Sequence, residues 1–271
     1  MKKERVDVLA FNQGLFETRE KAKRGVMAGQ VYTDKNERLD KPGEKIAIET
    51  LLQVKGQKLP YVSRGGLKLE KALEIFDLTV AEKVILDIGS STGGFTDAAL
   101  QNGAKMSYAL DVGYNQLAWK IRQDERVVVM ERTNFRYSKP EDFDQGQPQV
   151  ATIDVSFISL KLILPPLHDI LADGGDVIAL IKPQFEAGKE FVGKKGIIRD
   201  PQVHKMVLEK ILSFAMATNY DVAALSFSPI TGGEGNIEFL AHLKKSTEEG
   251  QLAPAISIDE IVQAAHGKLD K

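Results

Sequence analysis

A glycine-rich segment, LDIGSSTGGFTD at residues 86–97, follows an apolar run and carries a carboxylate just before its first glycine. Loops of this kind, between a strand and a helix, lie at the carboxyl edge of a parallel sheet, where ligands bind. The spacing Gly89-x-x-x-Gly93-Gly94 differs from the G-x-G-x-x-G of dinucleotide folds, and the loop lacks the lysine of a P-loop. Since Asp87 would repel a pyrophosphate but attract an ammonium or sulfonium group, we predict a cationic cofactor here.

S-adenosylmethionine carries both cationic groups, and its carboxylate suits the backbone N–H groups of the loop and of the following helix. A second acid favours this interpretation, because Asp111 ends the next apolar run, where a carboxylate can accept hydrogen bonds from ribose hydroxyls. Asp111 could instead form the turn before Gly113. The predicted cofactor contacts are Asp87, Gly89, Ser90, Ser91, Gly93, Gly94 and Asp111.

Two more charged residues end apolar runs that should belong to the same sheet. Asp154 closes QVATID and Lys182 closes DVIALIK, so both should face the edge that carries the glycine loop. Five apolar residues precede Lys182, which predicts that its ammonium group is partly desolvated, with Asp154 as the nearest counter-ion. Taken singly, Glu238 in the last apolar run and Lys68 beside a helical apolar stripe have the pattern of surface residues.

The elements that must position these residues begin at Gly65, where strand-like runs alternate with helical stretches. Apolar runs buried on both faces indicate a parallel sheet with crossover helices, so we predict an α/β, doubly wound fold. The last two runs, joined by SPITGGEGN, should pair as an antiparallel edge hairpin. The seven strand-like runs are KVILDI, KMSYALDV, RVVVME, QVATIDVS, DVIALIK, YDVAALSF and IEFLAHL.

The first 54 residues have another pattern and predict a separate, small α+β domain. RVDVLAFNQ and REKAKRGVMA read as helices, the second N-capped by Thr18, while QVYT and KIAIE read as strands separated by the turn-rich DKNERLDKPGE. We assign residues 55–62 to a linker and residues 63–271 to the larger domain. Residues 1–60 carry a net charge of +4 and the remainder −6, a pattern that suits a polyanion partner or an ordinary solvated surface.

The composition of the 271 residues excludes several classes of protein. Without cysteine there is no disulfide framework, thiolate nucleophile or cysteine-bound metal, and a reducing compartment is expected. The N-terminus lacks the apolar stretch of a signal peptide, and the longest uncharged run is 12 residues, against roughly 20 for a membrane helix. We expect a cytoplasmic protein with no metal and no stable membrane association. The histidines lack metal-ligand spacing and read as structural or surface residues: His168, His204, His242 and His266.

The order Lys68, Asp154, Lys182, Glu238 resembles the K-D-K-E tetrad of the FtsJ-like ribose 2′-O-methyltransferases. More narrowly, the chain resembles the TlyA family of ribosomal RNA methyltransferases, also named haemolysins, over essentially its whole length. The blocks that carry this resemblance are YVSRGGLKL, DIGSSTGGFTD, DVGYNQLAWK, ERTN, DVSFISL, KPQFE and GNIEFL. It implies a Rossmann-like methyltransferase sheet, S-adenosylmethionine as cofactor, and a ribose 2′-OH, of a cytidine, in ribosomal RNA or ribosomal subunits as the target.

The resemblance supports these four residues as one unit and leaves open which lysine accepts the proton. We predict the following roles for individual residues. Lys182 would act on the 2′-OH, either as base or by stabilising the developing alkoxide, while Asp154 and Glu238 would orient the lysines. Lys68 would help hold the ribose or the adjacent phosphate. Asn134 would contact the base of the cofactor.

The N-terminal residues resemble the RNA-binding domain named after ribosomal protein S-four. GLFETREKAKRGVMAGQVY follows its helix, basic turn and strand pattern, but DKNER stands where that domain usually has a tighter Asn-Gly-type turn. Phe157 would stack on a target base turned out of its helix, or would be a core aromatic. The predicted RNA contacts are Arg19, Lys21, Lys23, Arg24, Arg64, Arg132 and Phe157.

Three other functions are alternatives. A membrane-active haemolysin has no spanning segment in the sequence to support it. A non-enzymatic RNA-binding module would not explain Asp87 and Asp111 beside a glycine loop, and a nicotinamide dehydrogenase is disfavoured by the loop spacing. The oligomeric state stays open.

Overall fold

A computed structural model describes residues 2–55, 59–193, 196–232 and 235–269. The chain divides into two compact units, Met1–Lys58 and Leu59–Lys271. The predicted linker, residues 55–62, lies at this division, and its residues 56–58 are outside the described ranges. Its last residues are packed within the second unit, where Tyr61 is buried and its hydroxyl donates a 2.8 Å hydrogen bond to Oε1 of Glu70.

The second unit is built on a seven-stranded sheet, as the alternation of apolar runs predicts. All seven predicted runs form strands, and helices lie between most of them. The strands are β6 (Val84–Ile88), β7 (Met106–Leu110), β8 (Val127–Met130), β9 (Val150–Ile153), β10 (Asp176–Ile181), β11 (Tyr220–Phe227) and β12 (Phe239–Lys245). The helices are α3 (Gly65–Ile75), α4 (Gly94–Gln101), α5 (Trp119–Arg122), α6 (Leu164–Ile170), α7 (Pro183–Glu186), α8 (Pro201–Ala217) and α9 (Ile258–Leu269).

The strand order is β11-β12-β10-β9-β6-β7-β8. The five strands from β10 to β8 run parallel to their neighbours, whereas β12 is antiparallel to both β10 and β11. The predicted doubly wound sheet with an antiparallel edge hairpin is therefore confirmed. The chain leaves β6 in one direction to build β7 and β8 and returns beside β6 as β9, so the topological switch point lies between β6 and β9, next to the glycine loop.

Side chains of successive strand residues alternate between the two faces of the sheet, and each face has its own core. One face, with Ile85, Val150 and Leu180, is covered by apolar residues of α3 and α4. The other, with Leu86 and Ile153, packs against α6, α8 and α9. Burial on both faces explains why the strand sequences are continuously apolar.

The first unit contains two helices, α1 (Val6–Asn12) and α2 (Arg19–Met27), packed around a small core that includes Val6, Val26 and Val31. Thr18 caps α2 as predicted, with its Oγ1 accepting a 3.2 Å hydrogen bond from the backbone N–H of Lys21. The strands of this unit are β1 (Lys3–Arg5), β2 (Val31–Thr33), β3 (Arg38–Leu39), β4 (Lys45–Ala47) and β5 (Leu52–Val54).

The strands of the first unit agree with the sequence prediction in two places and correct it in one. The predicted runs QVYT and KIAIE contribute β2 and β4, and β4 pairs with β1. β3 lies inside the segment read as a turn and pairs with β2, which also pairs with β5 at the end of the domain. The two residues of β3 are too few to show an alternating pattern, so the sequence carries no periodic signal for this strand.

Candidate active site

The predicted catalytic residues extend one face of the sheet. Thr152 and Asp154 continue the row that starts at Val150, and Lys182 continues the row of Ile178 and Leu180; these rows face α3 and α4. Each charged residue stands just past the last residue of its strand, so its backbone is fixed by the sheet while its side chain reaches beyond the apolar core.

Glu238 and Lys68 complete this cluster from two other elements. Glu238 directly precedes β12 and lies in the same row as Leu240, which is opposite Leu180 in the antiparallel pair. Lys68 extends from α3, which covers this face of the sheet. The surface positions that the local pattern favours for these two residues are wrong, because Lys68 is 6% exposed and Glu238 2% exposed.

The four charged side chains form one chain of ion pairs of alternating sign. Nζ of Lys68 lies 2.6 Å from Oε2 of Glu238 and 3.5 Å from Oδ2 of Asp154. Nζ of Lys182 pairs with Oδ1 of Asp154. The structure thus brings together residues up to 170 positions apart, in the order Lys182, Asp154, Lys68, Glu238.

Asp154 is the centre of this cluster and the only one of its two acids that contacts both lysines. Burial acts to raise the pKa of Asp154, but the ammonium groups of Lys68 and Lys182 outweigh it and hold this pKa below its usual range. The carboxylate is therefore ionised at neutral pH and keeps both ammonium groups within reach of one cavity.

The glycine loop bends sharply between β6 and α4. Gly89 and Gly93 have φ of +85° and +94°, a region that favours glycine, and Ser91 has φ of +48°. Gly89 also passes so close to β9 that an added Cβ would lie 2.6 Å from the carbonyl oxygen of Asp154. Glycine at position 89 therefore lets the glycine loop and the segment that carries Asp154 share the switch point.

Asp87, by contrast, lines neither of the two cavities beside the loop, and its contact with the cofactor, direct or through water, stays a prediction. Its side chain is fully buried, with Oδ2 accepting hydrogen bonds from N (3.1 Å) and Oγ1 (2.7 Å) of Thr96 and Oδ1 accepting one from Oγ1 of Thr152 (3.0 Å). The carboxylate points under the loop towards α4 because it lies within the strand, two residues before the chain turns. Asp87 holds the first turn of α4 and so supports the loop from below.

A cavity of about 410 Å³ lies on the outer side of the loop. Its lining includes Gly89, Ser91, Asp111 and Asn134 among the predicted cofactor contacts. Asp111 forms the turn before Gly113, since its Oδ1 accepts a 2.7 Å hydrogen bond from the N–H of Gly113. Its Oδ2 accepts one of 2.8 Å from the N–H of Ser91, and its contact with ribose hydroxyls stays a prediction. Gly93 lines neither this cavity nor its neighbour and is instead the N-cap residue of α4.

A second cavity, of about 650 Å³, adjoins the first and contains the ionic cluster. Ser90 and Gly94 of the loop and Arg64 contribute to its wall. The two cavities share Gly89, Ser91, Asp154, Ser156 and Phe157, so a ligand in the first has its far end beside the cluster in the second.

Phe157 stands at the mouth of both cavities. It is 91% exposed and has φ of +63°, so the alternative of a core aromatic is wrong. Its ring lies 4.8 Å from that of Phe185, centroid to centroid.

Arg132 lies outside both linings, with its guanidinium 4.0 Å from the centre of the Tyr114 ring.

Sequence reasoning missed several residues that line the second cavity. Gln184 donates a 3.4 Å hydrogen bond from Nε2 to Oε1 of Glu238, and Ser156 accepts one of 3.4 Å from Nζ of Lys182. Ser63 and Phe185 also form part of the wall. Three of these four residues lie in the blocks DVSFISL and KPQFE. The signal that could have found them is their position close to Asp154 and Lys182 in these blocks.

The basic residues predicted to bind RNA in the first unit lie on α2 and are exposed. Nε of Arg19 is 3.5 Å from Oδ2 of the buried Asp7, and Lys21 pairs with Glu17.

Among the described residues no group of three or more His, Cys, Asp or Glu side chains has the arrangement of a metal site.

Comparison with known proteins agrees with this geometry. The profile of the FtsJ-like methyltransferase family matches residues 61–245, which include the glycine loop and all four residues of the cluster. The chain belongs to the FtsJ-like methyltransferase family. The predicted enzyme class and the resemblance are thereby confirmed.

Individual relatives of this FtsJ-like methyltransferase extend the match to both units. The chain is 66% identical to YqxC of Bacillus subtilis, whose name carries the words rRNA methyltransferase, over 99% of this chain and 96% of that protein. It is 38% identical to the 16S/23S rRNA (cytidine-2′-O)-methyltransferase TlyA of Mycobacterium tuberculosis, over 97% of this chain and 96% of that one. A solved structure from Streptococcus thermophilus, described by a hemolysin name, has 60% identity and a TM-score of 0.81 and covers 100% of this chain and 98% of its own.

The hemolysin names raise the question of membrane insertion. In the part of this FtsJ-like methyltransferase that the structure describes, no helix combines the length and the apolar character needed to cross a membrane.

Proposed function

We propose that this protein transfers a methyl group from S-adenosylmethionine to a ribose 2′-OH, of a cytidine, in ribosomal RNA. The observation that carries the proposal is the chain of ion pairs Lys182, Asp154, Lys68 and Glu238 in a cavity that adjoins the glycine loop. These two lysines and two acids have the residue types and the sequence order of the K-D-K-E tetrad of ribose 2′-O-methyltransferases.

The cavity beside the loop fits S-adenosylmethionine. Asp111 would bind the ribose hydroxyls, Asn134 the base, and Ser91 and Gly89 the amino-acid end of the cofactor. When bound there, the cofactor supplies an electrophilic methyl group on a sulfonium. Asp87 adds support from beneath the loop, by holding the N-terminus of α4 where its backbone N–H groups favour a carboxylate.

The four residues of the cluster would position the ribose hydroxyl and stabilise the charge that develops on it. Alignment of the hydroxyl with the methyl group is the main requirement of an in-line transfer. Lys182 acts on the 2′-OH either as an uncharged amine that accepts its proton or as an ammonium group that stabilises the oxygen as negative charge develops. The ionised Asp154 holds the Lys182 side chain for this role. Lys68, fixed between Asp154 and Glu238, is placed to bind the ribose or the neighbouring phosphate.

RNA as the substrate agrees with the names of the relatives and with three features of this chain. Phe157 presents an exposed ring to a base at the cavity mouth, and Arg64 lines the cavity that would receive the ribose. The exposed basic residues of α2, namely Arg19, Lys21, Lys23 and Arg24, would contact phosphates and contribute affinity without sequence choice. We assign residues 1–54 to an RNA-binding domain of the S-four type, 55–62 to a linker and 63–271 to the methyltransferase domain, which acts on ribosomal RNA in the cytoplasm.

The test uses purified protein, labelled S-adenosylmethionine, and ribosomes from a strain that lacks this protein, followed by digestion of the RNA to nucleosides. We expect 2′-O-methylcytidine as the product. Lys182→Ala should reduce the rate by about 10²–10⁴-fold while cofactor binding, followed by calorimetry, stays unchanged. Lys182→Arg keeps the charge but cannot accept a proton, so it separates the two roles of Lys182.

Lys105→Ala is the matched control, because Lys105 is an exposed lysine beside the other end of β7. Its rate should equal that of the unaltered protein. A methyl group on a base, or a rate for Lys182→Ala close to that of the control, would contradict the proposal.

A further inference from the structure

The segment after β9 carries Phe157 in a conformation that its own sequence does not favour. A non-glycine residue at φ of +63° is strained, and a ring that is 91% exposed gains little from burial. Contacts with other parts of the structure must therefore hold this residue at the cavity mouth.

The strongest of these contacts come from Glu186, the last residue of α7. Its side chain is buried, with Oε2 accepting a 2.6 Å hydrogen bond from Oγ of Ser159 and Oε1 accepting one of 2.8 Å from the N–H of Leu160. Both donors lie two or three residues after Phe157, where a short 3-10 helix begins. The carboxylate thus fixes the exit of the segment, whereas the sheet fixes its entrance, since the N–H of Asp154 donates a 3.0 Å hydrogen bond to the carbonyl of Ile88.

Glu186 also belongs to the element that carries Lys182. Lys182 is the N-cap of α7, and Phe185, which contacts the ring of Phe157, precedes Glu186 directly. The end of α7 is held in turn by Lys210 of α8, whose Nζ donates a 3.0 Å hydrogen bond to the carbonyl oxygen of Glu186. The buried carboxylate of Glu186 therefore connects the segment that carries Asp154 and Phe157 to α7, which contains Phe185 and has Lys182 as its N-cap.

Burying a carboxylate has a cost that the two hydrogen bonds offset only in part. Burial raises the pKa of Glu186, and the bonds from Ser159 and Leu160 act in the opposite direction. A residue that packed there for stability alone would be better apolar. The carboxylate provides instead two directed bonds that set the path of a strained segment.

We propose that Glu186 is a positioning residue that holds Phe157 against Phe185, so that the two rings form the surface on which the target base stacks. The proposal rests on the proposed function, since it assigns a task within RNA methylation. Glu186 itself lines neither of the two cavities and acts through the segment 155–160.

The first test needs neither substrate nor activity. Hydrogen exchange of the full-length protein without ligands should show faster exchange across residues 155–160 in Glu186→Ala than in the unaltered protein, by about tenfold or more at Leu160, whose N–H loses its acceptor. Glu186→Gln keeps an acceptor for that N–H and should stay within about threefold. Equal exchange in Glu186→Ala and the unaltered protein would overturn the proposal whatever the enzyme does.

The second test asks whether Glu186 acts through Phe157. With ribosomes as substrate, Glu186→Ala should raise KM for the RNA by about tenfold and leave the affinity for S-adenosylmethionine within twofold. In a protein that already carries Phe157→Ala, the same change should have little further effect, because contacting residues that act as a unit are not additive. Additive losses would overturn the proposal.

Glu190→Gln is the control, since Glu190 is an exposed acid four residues along the chain. It should match the unaltered protein in both tests. Failure of the unaltered protein to methylate RNA would refute the proposed function, and the exchange result would still decide whether Glu186 holds the segment.

Discussion

Asp154 and Asp87 are two aspartates on the same face of the sheet, at the ends of neighbouring parallel strands, yet their surroundings differ completely. Asp154 stands just beyond β9, opens onto the cavity and is paired with two lysines. Asp87 lies two positions lower in the same sheet, opposite Thr152, and is fully enclosed with hydroxyl and backbone partners only.

The difference in partners reverses the sign of the pKa shift. The two ammonium groups keep the pKa of Asp154 low despite its burial. Burial raises the pKa of Asp87 to about 7, because three neutral donors offset only part of the cost of a buried charge. Asp154 thus stays charged beside two lysines at the cavity, whereas Asp87 supports the glycine loop from within the core.

The largest effect is expected from removing one of the two cations that pair with Asp154. Lys68→Met removes one cation but keeps the length of the side chain, leaving Glu238 buried without its nearest cation. We expect methyl transfer to fall by roughly 10²–10⁴-fold and the free energy of unfolding to fall by about 3 kcal/mol. Single-turnover assays and urea unfolding measure the two effects.

Lys71→Met is the control on the same helix, where Lys71 pairs only with the exposed Glu74 in a bridge that should contribute less than about 1 kcal/mol. Equal stability losses in the two variants would show that the cluster does not depend on Lys68.

The raised pKa of Asp87 can be tested by measuring the stability of the protein at different pH values. An acid whose pKa is higher in the folded chain than in the unfolded one binds more protons when folded, so its contribution to stability falls as pH rises between the two pKa values. For Asp87 this window runs from its ordinary value of 3.8 to about 7. Relative to Asp87→Asn, the unaltered protein should lose up to about 4 kcal/mol of unfolding free energy as the pH rises from 4 through 7, with little further loss above about pH 8.

Denaturant titrations at several pH values measure this difference. Asp144→Asn, at an exposed position, should show no such trend relative to the unaltered protein. A difference between the unaltered protein and Asp87→Asn that stays flat, or that changes in favour of the unaltered protein as pH rises, would contradict the account of Asp87.

A smaller effect is expected from removing a single donor to Asp87. Thr152→Val keeps the shape of the side chain but removes the 3.0 Å hydrogen bond to Oδ1. The free energy of unfolding should fall by about 1–2 kcal/mol at pH 8, where Asp87 is charged, and by less at pH 5, where it is protonated in the folded protein. Thr247→Val, at an exposed site, provides the control for the loss of a hydroxyl.

The sequence predicted the sheet well because each of its strands is a continuous apolar run with turn residues at both ends. The antiparallel hairpin and the Thr18 cap also follow from local patterns. The short strands β1, β3 and β5 do not, since two or three residues leave no period to detect.

Local sequence patterns predict less of the candidate site than of the sheet. Asp154 and Lys182 could be placed at the sheet edge from the runs that precede them, but the burial of Lys68 and Glu238 depends on contacts across 170 positions of the chain. No local pattern contains such a contact. Only the order of the four residues, through its resemblance to a known tetrad, pointed to it.

Asp87 was predicted to bind the cofactor because its carboxylate would attract a cationic group, and its strand gives no sign of the direction in which the side chain points. In a sheet covered on both sides, every residue of β6 is buried, so the alternation that would separate an inward from an outward carboxylate is absent. The hydroxyls of Thr96 and Thr152 reveal its direction only once the fold has brought them together.

The central claim is that Asp154 serves the reaction through its charge whereas Asp87 serves the loop through its hydrogen bonds. Single-turnover methyl transfer by Asp154→Asn and Asp87→Asn, each saturated with S-adenosylmethionine and ribosomes, tests this directly. We predict that Asp154→Asn is slower by about 10²–10⁴-fold and that Asp87→Asn stays within about fivefold of the unaltered protein. A slow Asp87→Asn beside an active Asp154→Asn would contradict the account.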